Sequence, residues 1–339
     1  MALQELERHC EWTAETMAGG YVWPLSSDDL AEIDEALAHA KAHVGHVLDI
    51  TPETFPLPNL GPRLAGLARE LIDGRGVALV RGVDIGGRST DDACWIYVGI
   101  GMHLGRPWPQ NAKGHLLGDV TDQGRRGDDP TSRGNELGGV GLPFHSDGSD
   151  LVGLFCLDAG AEGGRSQVAN AVTIHNRLVR EEPELAAALY EPFTYDYRGE
   201  EGPGQKPWYR LPAFNRHGDR LFVRYIGPYI RSARRHDDAP PPTEAQREAM
   251  VRLEAMCADP SNHVAMRLEP GDMQFVNNYH VLHGREPYQD DPERGRVRHL
   301  KRLWLETSVL TDDDKPEVFR MSRSASSWWE AARRTKEPA

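Results

Sequence analysis

Apolar positions in the first hundred residues recur with helical spacing. Between 27 and 44, Leu30, Ile33, Leu37 and Ala40 fall on one stripe, and Ser27 stands where it can cap the helix. A second helix is predicted over 62–73, stopped by Gly74, and a third over 91–104. Between them, GVALVR at 76–81 reads as a buried strand. From about residue 115 the pattern changes. Segments 115–120, 151–158, 193–198, 220–225, 264–268, 273–276 and 298–307 are short, bounded by Gly, Pro, Asn or Asp, and read as strands. Helical stretches interrupt them at 173–190, broken near Pro183, and at 243–258, after the break APPP. Many short strands in a Gly-rich stretch suggest a barrel or sandwich flanked by helices. The polar stretches 121–139 and 288–296 are candidate lids or binding loops. A short helix is predicted around 326–334, and neither an internal repeat nor a second domain stands out.

Composition narrows the function classes. Apolar residues make up 39% and glycine adds 34 residues, which suits a chain with a large core. With 39 basic and 52 acidic residues the net charge is -13, which argues against nucleic acid as a general partner. The longest apolar runs, at 77–80 and 151–157, are too short to span a bilayer, so no membrane partner is expected. The charged start MALQELERHCEWTAE lacks the apolar stretch of a secretory leader. Cys10, Cys94, Cys156 and Cys257 lie far apart, as in a reduced, cytoplasmic chain without a disulfide framework.

Three segments carry chemistry. In Phe144-His145-Ser146-Asp147 an extended backbone would turn His145 and Asp147 to the same side, so imidazole and carboxylate could meet one ion. A second HxD, His236-Asp237-Asp238, stands in a polar stretch and reads as a solvated loop. Downstream, Pro270-Gly271-Asp272 turns into an apolar stretch ending at His283-Gly284-Arg285. His280, three residues earlier, would face the other way, so one of the two histidines should reach a cavity. Third, Arg298 and Arg302 lie four apart, on one face of a strand. Two inward arginines are costly unless an anion meets them, whereas on an exposed edge they would be solvated. Together these segments fit a two-His, one-carboxylate triad for non-haem Fe(II). Gly99-Ile-Gly101-Met-His-Leu-Gly105 sits late in a helical pattern and reads as packing glycines, not a dinucleotide loop.

In this order (HxD, a GG-x-S segment, a distal His in LHGR, then RxxxR before a hydrophobic strand) the chain resembles the taurine dioxygenase and clavaminate synthase-like family of Fe(II)/2-oxoglutarate oxygenases, from about Val77 to Leu305. The resemblance implies a mainly β fold with flanking helices, a double-stranded β-helix or jelly roll. It implies one oxygenase domain over 1–339, with its core at about 77–308, a helical part at 1–75 and an extension at 312–339. The implied triad is His145, Asp147 and His283, with Asn278 matching a family asparagine. Arg298 matches the arginine that anchors 2-oxoglutarate, and Ser166 stands where the family has a threonine beside that co-substrate. Arg302 matches the second arginine, which in some members meets an anionic substrate group. The implied reaction uses Fe(II), 2-oxoglutarate and O2, releases succinate and CO2, and oxidises a C–H bond of a small molecule, with a carboxylate-bearing metabolite as the candidate. Halogenating relatives lack the carboxylate that Asp147 supplies, so hydroxylation or another oxidation is favoured, with desaturation and ring formation left open.

For the substrate, Trp108 and Asn111 in the loop 108–111, Asn135 before the HxD segment, and Arg302 are the candidates. Three rival readings stand beside this one. A protein-side-chain oxygenase would respond to peptides instead of metabolites. A metal-binding jelly roll doing other chemistry would tolerate zinc and loss of Arg298. A sensor would bind 2-oxoglutarate and iron without turnover.

Overall fold

A computed structural model describes residues 3–6 and 10–320. The helix expected around 326–334 lies outside the described residues. The first long helix spans Ser27–His43, and its cap is Ser26, one residue earlier than expected. The Ser26 hydroxyl accepts from the Asp29 backbone N–H, and the Asp29 carboxylate accepts from the Ser26 backbone N–H. The next helices span Leu60–Asp73 and Thr90–Met102. The stretch 173–190 is two helices, Ala171–Glu181 and Pro183–Leu189, because Pro183 cannot continue the first and instead opens the second. Glu244–Ala258 is capped by Thr243.

Two sheets carry the site. The larger has seven strands, in the order Val22–Pro24, Val77–Arg81, Met273–Asn277, Leu151–Asp158, His299–Glu306 and Arg106–Trp108, with Leu117–Val120 also paired to His299–Glu306. Only its first pair is parallel. The smaller is fully antiparallel and runs His263–Met266, Ser166–Asn170, Val281–Arg285, Leu142–His145. Both central strands Met273–Asn277 and Val281–Arg285 are buried at every position, as strands covered on both faces must be.

Ser166–Asn170 lies outside the predicted strands, and Leu142–His145 and Val281–Arg285 are expected only as extended stretches around His145 and His283. All three are short and carry Pro, Gly or polar residues, so their state is decided by the partners beside them. Thr90–Met102 packs on the larger sheet. Tyr97 stacks on Phe155 at 5.0 Å, and its hydroxyl accepts from the Leu303 N–H at 3.1 Å. The glycines of this helix are packing positions, as expected. A Cβ at Gly99 would meet the Phe55 ring at 2.5 Å, and one at Gly101 would meet Leu303 at 2.8 Å.

Just before Arg320, the chain is pinned to the core by a buried ion pair. Lys315 Nζ lies 2.7 and 2.9 Å from the two oxygens of Asp150, which also accept from the Tyr279 hydroxyl and the Thr307 N–H. Both charged residues are fully buried. Lys315→Met would strand Asp150 with only two neutral donors, and removing one partner of a buried pair costs about 3 kcal/mol or more. The expected outcome is a matching drop in unfolding free energy by urea titration. An unchanged midpoint would show that the pair contributes nothing.

Candidate active site

The site begins with a cross-strand register. Val281–Arg285 lies between Leu142–His145 and Ser166–Asn170, and His283 pairs directly with His145. Their rings lie 4.3 Å apart, tilted by 49°. Asp147 follows His145 by two residues, and its Oδ1 is 3.9 Å from His145 Nε2. Donor atoms of His145, Asp147 and His283 all lie within 4.8 Å of one another. Ser146, between the two ligands, turns the other way. It exchanges backbone and hydroxyl hydrogen bonds with Val223 and Tyr225 and so fixes the loop. Asn278 accepts from the Asp147 N–H at 3.1 Å and donates to Ser149. His283 thus reaches the cavity, whereas His280 is buried just before the strand and lines neither cavity described below.

The three side chains are set in ligand-ready states. His145 donates its Nδ1 proton to the Pro143 carbonyl at 2.9 Å, which leaves Nε2 with a lone pair facing Asp147. Asp147 Oδ2 accepts from Arg302 Nη1 at 3.2 Å and from the Trp304 indole at 3.0 Å, leaving Oδ1 toward the histidines. Burial by itself would raise the Asp147 carboxyl, but the Arg302 guanidinium, followed by the two imidazoles, holds it well below the usual carboxylate range. Burial pushes both imidazoles down, and His283, also facing His145, is lowered to about 3. At neutral pH the set is therefore two neutral imidazoles and one carboxylate, the donor set for a divalent transition metal.

Beside the triad is a cavity of about 270 Å³ whose walls include Ser166, Arg285, Arg298, Arg302 and Asn135. Arg298 and Arg302 face it together, as their spacing predicts. The one irregularity in this pairing lies between His299 and Leu300, which pair with Asp158 and Cys156. The extra residue, Leu157, is therefore on the opposite strand, and the arginine strand keeps its alternation. Arg298 is 4% exposed, its Nη1 has no hydrogen-bond partner, and its guanidinium lies over the Tyr288 ring at 5.2 Å. Arg285 lies over the same ring at 4.8 Å and leaves its Nε unpartnered. Burial, followed by the charge of Arg298, lowers Arg285 to about 10. Ser166 Oγ donates to Gln274 at 2.9 Å, so its lone pairs remain available to accept. Two buried guanidinium groups with unmet donors suit a dianionic acid, and 2-oxoglutarate is one.

A second cavity, of about 370 Å³, adjoins the first along Arg133, Asp147, Ile226 and Tyr229, and its walls also include Trp108, Tyr209, Arg224 and Trp304. Trp108 lies where the substrate reading expects it, whereas Asn135 lines the smaller cavity and donates to the Asp119 carbonyl. Asn111 does not reach either cavity. Its amide oxygen accepts from the Lys113 and His115 N–H groups and closes a local turn. Its neighbour Gln110 is the working residue of that loop, accepting from Arg302 Nε at 2.7 Å and donating to the Arg302 carbonyl. Arg302 gives its Nε to Gln110 and its Nη1 to Asp147 and still lines the smaller cavity. The reading of the second HxD is corrected. His236 is no solvated side chain but bonds the fully buried Asp196 at 3.1 Å. Sequence reasoning quoted Arg285 in its motif without giving it a role. It missed Arg133, Arg224 and Tyr288, which belong to no motif.

The depressed pKa values fix a sign for stability. His283, His145 and Asp147 bind protons more readily in the unfolded chain than in the folded one. Folded-state stability is therefore complete above the ordinary histidine value of 6.5 and drains away as pH falls toward 3. His283 adds a slope of up to about 1.4 kcal/mol per pH unit in this window. In the metal-free protein, the urea midpoint should fall from pH 7 to pH 4, and His283→Asn should flatten the fall. Parallel curves for the two proteins would refute the assignment.

Comparison with known proteins gives the family and the fold. Residues 24–304 match the family described as taurine catabolism dioxygenase TauD, TfdA family. FR-33289 synthase of Streptomyces rubellomurinus is 35% identical over 291 residues, covering 85% of this chain and 86% of that protein. The taurine hydroxylase-like protein SAT17 of Stachybotrys chartarum is 27% identical, covering 91% of this chain and 80% of its own. Among solved structures, an asparagine oxygenase in complex with Fe(II), 3-hydroxyasparagine and succinate shares the fold, with a TM-score of 0.65 at 20% identity over 85% of this chain and 94% of that one. The non-haem iron oxygenase OrfP with Fe and α-ketoglutaric acid does so with a TM-score of 0.64 at 18% identity over 84% and 94%. A family match over most of the chain places it in the TauD, TfdA family, and it is an Fe(II)- and 2-oxoglutarate-dependent dioxygenase.

Proposed function

We propose that this dioxygenase hydroxylates a C–H bond of a small molecule held in the larger cavity, with His145, Asp147 and His283 as its iron ligands. The carrying observation is the meeting of both cavities at Asp147, one basic and sized for a co-substrate, the other partly aromatic and sized for a metabolite. When bound, Fe(II) and 2-oxoglutarate would supply the electrons that activate O2, which is the oxidant, the co-substrate leaving as succinate and CO2. The protein's part is placement. Arg298, with Ser166 beside it, holds the far carboxylate of the co-substrate, and Arg285 supports that end across the Tyr288 ring. Arg302, Trp304 and Asn278 aim Asp147, and Gln110 holds Arg302. Trp108 and Trp304 wall the chamber in which the substrate is oriented and water is kept out.

We read the two sheets as a jelly roll within a single oxygenase domain. A reducing, cytoplasmic setting is supported by the buried thiols of Cys94, Cys156 and Cys257. Among the described residues, no helix is long and apolar enough to cross a membrane. FR-33289 synthase and the asparagine oxygenase, named for small-molecule chemistry, support the metabolite reading over a protein side chain.

The test is anaerobic visible spectroscopy of the metal-free protein on adding Fe(II) and then 2-oxoglutarate. The wild type should develop a metal-to-ligand charge-transfer band. Asp147→Ala should abolish or weaken it. Arg298→Ala should raise the 2-oxoglutarate concentration needed by about 30-fold, as expected for losing a buried charge-assisted contact worth about 2 kcal/mol. Absence of the band, with neither iron nor 2-oxoglutarate bound, would overturn the assignment of these ligands.

A further inference from the structure

Arg302 gives its Nε to Gln110 and its Nη1 to Asp147 and lines the smaller cavity, so a charge that meets a substrate in the larger one is sought among that cavity's own residues. Its charged lining residues are Arg133, Arg210, Arg224, Asp147, Asp196 and Glu200. Asp196 is saturated by Arg235, His236 and the Arg198 N–H. Glu200 accepts from the Ala112 N–H and faces Arg133 Nη1 at 3.6 Å. Arg133 donates to the Gln110 carbonyl at 2.9 Å, and Arg210 is exposed and donates to Pro192. Arg224 differs from all of these. Its Nη1 is buried with no partner, and its Nη2 has only a long contact, 3.4 Å, to the Tyr209 hydroxyl.

The backbone around Arg224 is fixed. Its N–H donates to the Ala213 carbonyl at 2.8 Å, its carbonyl accepts from the Tyr195 hydroxyl at 2.6 Å, and the next residue, Tyr225, pairs with Ser146 of the HxD segment. The free nitrogen borders Gly148, the residue after Asp147. A Cβ built there would lie 3.5 Å from Nη1 and 3.2 Å from the Trp304 ring. A buried guanidinium with an unmet donor, aimed beside the metal-binding loop, is costly unless an anion completes it.

We propose that Arg224 is the specificity-determining residue for the primary substrate, and that this substrate is a small molecule carrying an oxyanion, carboxylate or phosphoryl, within a few bonds of the oxidised carbon. The inference rests on the hydroxylase reading above and names the substrate class for the same site. Arg133, on the same wall, adds positive potential, and the rings of Tyr209 and Trp304 bound the space for the apolar part of the molecule.

The experiment is calorimetric titration with four probes: butyrate and propylphosphonate, each beside its neutral counterpart, butyramide and diethyl propylphosphonate. It is run on the metal-free protein and, anaerobically, on the protein loaded with Fe(II) and 2-oxoglutarate. One or both anions should bind at least tenfold more tightly than their neutral counterparts, and the difference between the two anions identifies the oxyanion. Arg224→Gln should weaken anion binding at least tenfold and leave the neutral probes unchanged. Gly148→Ala, which narrows the space at Nη1 while keeping the charge, should weaken it too and serves if Arg224→Gln fails to fold. The charge-transfer band is recorded on each variant. Equal binding of charged and neutral probes, or undiminished anion binding in both variants, overturns the proposal. Loss of the band in the wild type, with Arg224-dependent anion binding retained in the metal-free protein, would overturn the cofactor reading and leave the anion site standing.

Discussion

A slip of one residue in the pairing of Val281–Arg285 with Leu142–His145 would turn His283 to the opposite face and dismantle the triad. The register is held from both sides. Ser166–Asn170 pairs along the whole of the His283 strand, and Asn278, just ahead of it, is hydrogen-bonded to the loop that carries Asp147. Both faces of that strand are buried, so a shifted register would drive His283 and Arg285 into the core that holds Leu282 and bring Leu282 to the cavity. The meeting of His283 with the His145–Asp147 segment is therefore a consequence of sheet packing, since no local motif joins the two.

The second constraint is electrostatic. In a chain with a net charge of -13, the interior around Asp147 gathers Arg133, Arg224, Arg285, Arg298 and Arg302. Arg302 is neutralised by Asp147 and steadied by Gln110. Arg285, Arg298 and Arg224 keep unmet donors, the first two at the smaller cavity and the third at the larger. The local excess of positive charge is thus spread over two adjoining cavities that share Arg133 and Asp147. Tyr288 lies under both guanidinium groups of the smaller cavity, and its ring offsets part of the cost of holding them close together.

Much of this centre was legible in the residues. HxD, the distal His before Gly-Arg, and RxxxR are local patterns, and strand alternation is enough to predict which of their side chains share a face. The helix breaks at Pro183 and Gly74 follow from proline and glycine chemistry in the same way. The misreadings share a different cause. Asn111 and His236 were judged by polarity and neighbours in sequence, yet Asn111 is spent on its own turn, and His236 is recruited by a buried carboxylate 40 residues away. Arg133, Arg224 and Tyr288 stand alone in sequence, so no pattern marks them.

The sequence by itself determined the ligand types, their order and the strand faces they occupy, because these depend only on backbone periodicity and side-chain chemistry. Tertiary structure alone decided which arginine is already paired. Arg302 and Arg224 are equivalent as residues, but Arg302 packs against Asp147 and Gln110 whereas the free nitrogen of Arg224 opens beside Gly148. The energy of a buried charge is set by the groups that surround it in space, and those come from strands and loops far apart along the chain.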